Sequence, residues 1–463
     1  MKPVLLIDFG STYTKLTAVD VDAPALLGTA AAYTTVETDI NDGLTLGLQR
    51  LEEVTGKLDY AARYACSSAA GGLRMMACGL VPELTSEAAR MASLGAGAKV
   101  IGLYSYQLTD EDLEEIRAAA PDIFLLVGGT DGGNTANILH NAKQLASLAP
   151  EFPIIVAGNR TAASGCAKAL AGYEVYVCEN VMPKFGVVNI GPTQRKIREI
   201  FLQRIVQAKG LQAAATQMDG EMMPTPAAVL RSLELLSQGW EEERGIGELV
   251  AVDVGGATTD VYSIADGMPE AMNTVYKGLP EPFAKRTVEG DIGMRYSIRG
   301  IVEEAGAKKI AQLSGLTVER VEQLVEEFAA NTDTVPEPGS DGAALDKALA
   351  SMAVRIGVRR HAGTMEETYT MMGKTIVQEG KNLTQIKNIV VTGGSLIHSK
   401  ETDDIAGYAL YSPEDPGSLR PREARVLVDR RYILAAMGLL SVTQPQAALQ
   451  IMKKEMETYG YPE

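Results

Sequence analysis

Two short segments of the chain place the same residue types in the same order, and that order suits phosphate binding. Each has an apolar run that ends in an aspartate, a glycine-containing turn with hydroxyl residues, and a second apolar run: VLLIDFGSTYTKLTAV at Val4–Val19 and LVAVDVGGATTDVYSI at Leu249–Ile264. A tight turn between strands directs backbone N–H groups into one concavity, where glycine lets an anion approach closely. The repetition therefore predicts two hairpins of a duplicated protein that hold a polyphosphate from both sides.

The residues expected to contact phosphate are the glycines and hydroxyl residues of these turns and one lysine. They are Gly10, Ser11, Thr12 and Lys15 in the first segment and Gly255, Gly256, Thr258 and Thr259 in the second. Asp8 and Asp253 would repel a triphosphate unless a divalent cation lay beside them, and Mg²⁺ takes few protein ligands and keeps several waters. We expect both aspartates to hold Mg²⁺, largely through water, and to be the catalytic residues. Asp260 is a weaker candidate because it lies on the exiting strand.

A third glycine-rich turn lies in NIVVTGGSLIH (Asn388–His398). The backbone at Gly393, Gly394 and Ser395 is open enough for a flat adenosine to approach it closely. Two phosphate turns followed by an adenosine turn predict a site for ATP with Mg²⁺.

These turns resemble, in chain order, motifs of the actin-like ATPase superfamily, which also contains sugar kinases and heat-shock chaperones (ASKHA). DFGST and DVGGATTD are similar to its two phosphate motifs, VTGGS to its adenosine motif, and the helix with Ala436 and Gly438 to its second connecting helix. The resemblance implies an α/β protein with a two-lobed actin-like (ribonuclease-H-like) ATPase fold.

The elements that must position the turns follow from the periodicity of apolar residues. Strand-like and helical runs alternate from about 86 to 180, which is typical of a parallel sheet covered by helices. Met218–Pro226 is predicted to be a loop, helices dominate Ile292–Gln385, and a final helix covers Arg431–Leu440. The predicted domains are the first part of lobe I (1–85), an inserted α/β domain (86–185), connecting helices (186–247) and lobe II with the adenosine turn (248–463).

Charge and cysteine spacing disfavour several classes of function. The chain has 463 residues, 46% of them hydrophobic, and a net charge of −16. A large core is therefore expected, whereas nucleic acid and anionic membrane surfaces are disfavoured as partners. The four cysteines lack the spacing of zinc or iron–sulfur sites. Without a secretory signal or an apolar run of about 18 residues, the sequence predicts a cytoplasmic protein.

Longer segments narrow the resemblance to one family. DFGSTYTKLTAVD, CSSAAGGLRMMACGLVPELTSEAARMASLGAGAKV, IFLLVGGTDGGN and VDVGGATTDVYS together resemble the MutL/GlmL family, which is distinct from the mismatch-repair protein of the same name. Its members are accessory proteins of adenosylcobalamin-dependent aminomutases such as glutamate (methylaspartate) mutase. The resemblance implies ATP-dependent maintenance or reactivation of such a mutase, with residues 86–180 in contact with this partner.

Several alternatives stay open at the level of sequence. A small-molecule kinase of the same superfamily and an actin-like filament or scaffold are the rival functions, and a homo-oligomer is compatible with either. The turn in IFLLVGGTDGGN is either a structural tight turn, which is favoured, or a site for phosphate or the nucleotide tail of cobalamin. Arg355, Arg359, Arg360 and His361 are expected to lie on a solvated helix face.

Overall fold

The computed structural model describes residues 1–10, 13–34, 40–68, 73–208, 211, 215–271, 273–370 and 373–459. The chain divides into two compact units. Unit 1 comprises Met1–Asp22, Leu27–Ala228 and Gly278–Pro280, and unit 2 comprises Ala23–Leu26, Val229–Lys277 and Glu281–Glu463.

Unit 1 contains two sheets. Its strands are β1 (Pro3–Phe9), β2 (Tyr13–Asp20), β3 (Ala25–Tyr33), β4 (Ala62–Ser67), β5 (Leu73–Gly79), β6 (Ala98–Ser105), β7 (Ile123–Leu126), β8 (Ile154–Val156), β9 (Val175–Val177) and β10 (Met223–Pro224). Its helices are α1 (Ile40–Thr55), α2 (Glu87–Gly95), α3 (Asp110–Ala119), α4 (Ala136–Ser147), α5 (Arg160–Ala169), α6 (Gly191–Ala208) and the start of α7 (Thr225–Gln238). A π-helical turn at Pro82–Ser86 precedes α2.

The first sheet has the order β10-β4-β1-β2-β3. Strands β1 and β2 form an antiparallel hairpin, and β4 lies parallel to β1 on its other side. The second sheet is parallel, with the order β6-β5-β7-β8-β9. Its strand β5 therefore precedes residue 86 and lies between β6 and β7.

A single buried cluster joins the two sheets of unit 1. Ile7 and Phe9 of β1 share it with Met75 and Ala77 of β5, whereas Met76, the residue between the latter two, packs into a separate cluster. Because side chains alternate across a strand, β5 contributes one face to each cluster. The second sheet is thus packed against the first through a common core.

Unit 2 is built around a larger mixed sheet. Its strands are β11 (Gly239–Trp240), β12 (Glu243–Arg244), β13 (Leu249–Val254), β14 (Thr259–Ile264), β15 (Thr274–Lys277), β16 (Ala284–Glu289), β17 (Thr364–Thr370), β18 (Gly373–Glu379), β19 (Asn388–Thr392), β20 (Arg425–Val428) and β21 (Glu457–Tyr459). Its helices, after α7, are α8 (Ile298–Ala305), α9 (Ala307–Ser314), α10 (Val318–Ala330), α11 (Asp341–His361), α12 (Gly394–Ile397), α13 (Thr402–Gly407), α14 (Leu434–Leu440) and α15 (Pro445–Glu455).

The main sheets of the two units repeat one strand order. In unit 2 the order is β16-β14-β13-β19-β20-β21, with β13 and β14 antiparallel and β19 parallel to β13. When the strands of each sheet are counted in chain order, both sheets read third, second, first, fourth, fifth, and unit 2 adds β21 as a sixth strand at the edge. This is the ribonuclease-H-like order. The predicted α/β class and actin-like fold are therefore confirmed. In the part of the chain described, no helix is both long and apolar enough to span a membrane.

Three local predictions were wrong. The region expected to be helical contains the hairpin of β17 and β18, whose polar residues include the exposed Tyr369. Helix α7 begins at Thr225, inside the predicted loop, and α14 begins only at Leu434, where Asp429 accepts hydrogen bonds from the first N–H groups.

The basic residues of α11 form a solvated face only in part, because Arg359 and Arg360 are exposed whereas His361 is buried. Arg360 pairs with Glu289, Asp291 and Glu304. His361 is fully buried and its ring nitrogens lie 2.8 Å from the hydroxyl oxygens of Thr287 and Ser263.

A buried lysine follows β18 in unit 2. Lys381 is 1% exposed, and its Nζ donates to the carbonyl oxygens of Ala265 (2.6 Å) and Phe283 (2.7 Å). Burial lowers the pKa of Lys381 from 10.5 to about 7, although the carboxylate of Glu281 opposes this shift. A neutral amine still carries two N–H groups, so deprotonation leaves both hydrogen bonds in place.

We expect Lys381 to make the free energy of unfolding rise as the pH increases from about 7 towards about 8. At higher pH this rise is opposed by the cysteine thiols, whose pKa values burial raises in the folded chain. In this range the unfolded chain holds close to one more proton on Lys381 than the folded chain, which contributes up to about 1.4 kcal/mol per pH unit. Below about pH 7 both states hold the proton and the dependence stops. Lys381→Met should flatten the profile. Urea unfolding of both proteins between about pH 7 and 9.5 measures this, and parallel profiles would contradict it.

Candidate nucleotide site

The first turn lies at the end of β1 and brings Asp8 opposite Lys15. These two residues are register partners in the β1–β2 hairpin. The N–H of Gly10 donates to the carbonyl oxygen of Tyr13 across the turn (3.2 Å), and a side chain at Gly10 would collide with that oxygen. Ser11 and Thr12 lie outside the described residues. Glycine is therefore required at the base of this turn.

Asp8 is a buried carboxylate with two side-chain donors. It is 7% exposed, and its Oδ1 accepts from the Thr225 hydroxyl (2.6 Å) and from the Cys66 thiol (3.4 Å). Thr225 opens helix α7, and Cys66 is the neighbour of Asp8 on β4. Burial and the Asp8 charge raise the pKa of the Cys66 thiol well above its ordinary value, so it remains a protonated donor. These contacts fix the carboxylate in one orientation.

The second turn repeats the first at the end of β13. The N–H of Gly255 donates to the carbonyl oxygen of Thr258 (2.9 Å), as Gly10 does to Tyr13. Gly256 and Ala257 are exposed, and neither backbone N–H forms a hydrogen bond within the described residues. Two adjacent free N–H groups at an exposed turn are suited to bind an anion.

Two further side chains of this hairpin contact other parts of unit 2. Thr259 is fully buried, and its methyl group lies under Gly357 of α11, so its hydroxyl does not join Thr258 at the turn. Asp260, the register partner of Asp253, is paired with the buried Arg286 (2.5 Å). The charge of Asp260 is therefore compensated inside unit 2, and Asp253, on the opposite strand, is half-buried.

The third turn packs directly against the second. Gly393 follows β19 with φ of +97°, and a Cβ there would collide with the backbone of Val254 and approach Asp253 Oδ1. Gly394 is exposed with open space around its Cα, and Ser395 is half-buried. The structure thus brings Gly393 to the carboxylate of Asp253 within unit 2.

The glycine-rich turn after β7 is held by internal hydrogen bonds. Asn159 is fully buried and donates to the carbonyl oxygens of Gly133 (3.1 Å) and Asn134 (3.0 Å). Asn180 donates to the carbonyl oxygen of Gly129 and to Asp131 (both 3.0 Å). These contacts support the reading of a structural turn.

The donor set suits a cation bound largely through water. Asp8 and Asp253 are carboxylates, the ligand type that Mg²⁺ takes in small number. The described residues hold no cluster of three or more histidine, cysteine or acidic side chains that could enclose a metal. Asp8 in unit 1 and Asp253 in unit 2 are each of the ligand type that Mg²⁺ takes, and the described residues offer no other group of protein ligands that could enclose a metal.

Comparison with known proteins identifies the family of this chain. A family model described as MutL protein matches residues 4–456. The chain belongs to the MutL protein family. It is 46% identical to Protein MutL of Clostridium tetanomorphum over 459 residues, covering 98% of this chain and 99% of that protein.

Solved structures align with this MutL-family chain over nearly its whole length but with low scores. A diol dehydratase-reactivating factor in nucleotide-free form is 11% identical, with a TM-score of 0.34 and coverage of 96% of this chain and 100% of that one. A ligand-bound xylulose kinase from Lactobacillus acidophilus is 10% identical, with a TM-score of 0.36 and coverage of 99% and 93%. TM-scores this low support no argument about function, so the assignment rests on the sequence family.

Sequence reasoning missed the side chains that fix the two aspartate turns. Thr225, Cys66 and Arg286 are distant in sequence from the residues they contact, and the first two carry no motif of their own. For Cys66, the strand order was the one signal that could have indicated the contact, because β4 lies next to β1 and places Cys66 beside Asp8.

We expect Gly393→Ala to destabilise unit 2 and to weaken nucleotide binding, whereas Gly394→Ala should do neither. The first adds a side chain at a positive φ and against Val254, which costs at least about 1–3 kcal/mol. The second meets open space and should change stability by less than about 0.5 kcal/mol. Thermal unfolding and ATP titration of the two variants measure this, and equal behaviour would refute the proposed packing of the third turn.

Proposed function

We propose that this MutL-family protein is an ATP-binding, ATP-hydrolysing accessory protein that maintains or reactivates an adenosylcobalamin-dependent aminomutase of the glutamate (methylaspartate) mutase type. The observation that carries the nucleotide part is the repeated aspartate turn. Asp8 and Asp253 stand at equivalent positions of two sheets with the same strand order, and Gly393 adjoins the second aspartate.

In this proposal the protein binds the phosphates mainly through backbone. The free N–H groups of Gly256 and Ala257 and the hydroxyl of Thr258 donate to phosphate oxygens, and Lys15 adds a positive charge. Ser11 and Thr12 belong to the same proposed set. The adenosine rests on the backbone of Gly393, Gly394 and Ser395.

Asp8 and Asp253 hold Mg²⁺ through its waters, and the ion supplies charge neutralisation for the phosphates when bound. Among the described residues, Thr225 and Cys66 donate to Oδ1 of Asp8, so its other oxygen would be available to accept from a water of the ion. Asp253 is the proposed residue that orients the attacking water, because it stands at the end of β13 beside Gly393.

The accessory role rests on the family. The MutL relative covers 98% of this chain, and the resemblance of the motifs implies a family that serves adenosylcobalamin-dependent mutases. ATP binding and hydrolysis would give the protein two states with different affinity for the mutase, which is what a reactivation cycle requires. The predicted inserted domain (86–185), which supplies four of the five strands of the second sheet of unit 1, is the proposed surface for the mutase.

We expect micromolar binding of ATP with Mg²⁺ to the wild-type protein and none to Asp8→Ala or Gly255→Val. The first removes a metal-holding carboxylate, and the second places a branched side chain against the carbonyl oxygen of Thr258. Asp22→Ala, which removes an exposed carboxylate of the same unit, is the control and should bind normally. Calorimetric titration measures all four proteins. Full binding by both site variants would exclude these turns as the site.

We expect Phe185→Asp to weaken capture of the mutase without affecting ATP binding. Phe185 is 79% exposed in a tight turn after β9, where Lys184 and Val187 form a bridge, so its ring is available to a partner. Val335→Asp changes a similarly exposed apolar residue of unit 2, at 87%, and serves as the control. Deletion of 86–180 is less suitable because it would strip β5 of its neighbours. Co-purification with glutamate mutase measures capture, and equal capture by both variants would contradict the assigned surface.

A further inference from the structure

Three consecutive carbonyl groups of the second turn are hydrogen-bonded from one side by the segment Met294–Ser297. The donors are three backbone N–H groups and one hydroxyl: Met294 to Gly255 (3.0 Å), Arg295 and Tyr296 to Gly256 (2.8 and 2.9 Å), and Ser297 Oγ to Ala257 (2.7 Å). The segment Met294–Ser297, here called the backing, therefore lies along the turn.

The direction of these carbonyl groups fixes the direction of the neighbouring amides. In a planar trans peptide the C=O of one residue and the N–H of the next point to opposite sides, and the described chain contains no cis peptide. With the carbonyls of Gly255, Gly256 and Ala257 turned towards the backing, the N–H groups of Gly256, Ala257 and Thr258 point away from it. The backing thus presents three successive N–H groups on the opposite side.

The Ser297 side chain contacts the turn and does not cap the helix that follows it. It occupies the N-cap position of α8, where a serine side chain ordinarily accepts a hydrogen bond from the first helical turn. Its side chain makes no such bond here. Instead the hydroxyl reaches Ala257 O and, at 3.2 Å, Gly290 O.

Arg295 anchors the backing to the helices behind it. Its guanidinium donates two hydrogen bonds to Asp346 of α11 (2.9 and 2.8 Å) and one to the carbonyl oxygen of Thr334 (3.0 Å). It also lies 4.8 Å from the ring centroid of Phe328 on α10. A bidentate pair of this kind is rigid, so the backing cannot readily move away from the turn.

We infer that Met294–Ser297 is the positioning element of the anion-binding turn, with Ser297 as its direct contact and Arg295 as its anchor. This inference rests on the proposed function, because it names what holds the phosphate-binding amides in place. Ser297 is a positioning residue and not a catalytic one, since it acts through the peptide group between Ala257 and Thr258.

Three variants test the inference. Ser297→Ala removes the hydroxyl, Ser297→Thr retains it at a half-buried position, and Ser314→Ala removes a comparable hydroxyl-to-carbonyl bond in α9, away from the turn. Each is titrated by calorimetry with ATP–Mg²⁺, inorganic tripolyphosphate and adenosine. We expect Ser297→Ala to bind ATP and tripolyphosphate about three- to tenfold more weakly, with adenosine affinity unchanged. Ser297→Thr and Ser314→Ala should match the wild type.

The outcomes separate this inference from the proposed function. Equal ATP affinity of wild type and Ser297→Ala, or an equal loss of adenosine affinity, would overturn the positioning role and leave ATP binding intact. A wild type that binds tripolyphosphate but not ATP, with Ser297→Ala weaker, would support the positioning role and overturn the nucleotide function. A wild type that binds neither would overturn both.

Discussion

A peptide group cannot turn its carbonyl and the following N–H to the same side, and the candidate site depends on this constraint. At the second turn the carbonyls are engaged by Met294–Ser297, and the amides are thereby left for a ligand. At the first turn the oriented group is a side chain, because Thr225 and Cys66 donate hydrogen bonds to the carboxylate of Asp8. In both cases the functional groups are oriented by contacts from elements outside the hairpin.

An ion pair between Asp260 and Arg286 of unit 2 also prepares the second turn for a ligand. Asp253 and Asp260 face each other across one hairpin, and two uncompensated carboxylates there would repel both each other and a phosphate. The side chain of Arg286 is buried, at 6% exposed, and its guanidinium neutralises the carboxylate of Asp260. One of the two carboxylates of this hairpin, that of Asp260, is therefore neutralised inside unit 2, which lessens the repulsion of an anion at the turn.

The parts of the fold that could be predicted from sequence are those with a strong local pattern. Strand β19 was expected from an apolar run that leads into a glycine turn, and both aspartate hairpins from apolar runs broken by glycine. The hairpin of β17 and β18 was missed because its residues are largely polar and half-exposed, so no alternation marks it. The contacts of Thr225 with Asp8 and of Ser297 with Ala257 join distant parts of the chain, and only the strand order brings them together.

The common core of unit 1 has a consequence for how a partner could act on the nucleotide. Ile7 and Phe9, on either side of Asp8, belong to the same buried cluster as Met75 and Ala77 of the second sheet. Close-packed interiors have low compressibility and transmit strain. A protein that displaced the second sheet would therefore displace β1 through the packed core. The movement would reach Asp8 without passing through a flexible hinge.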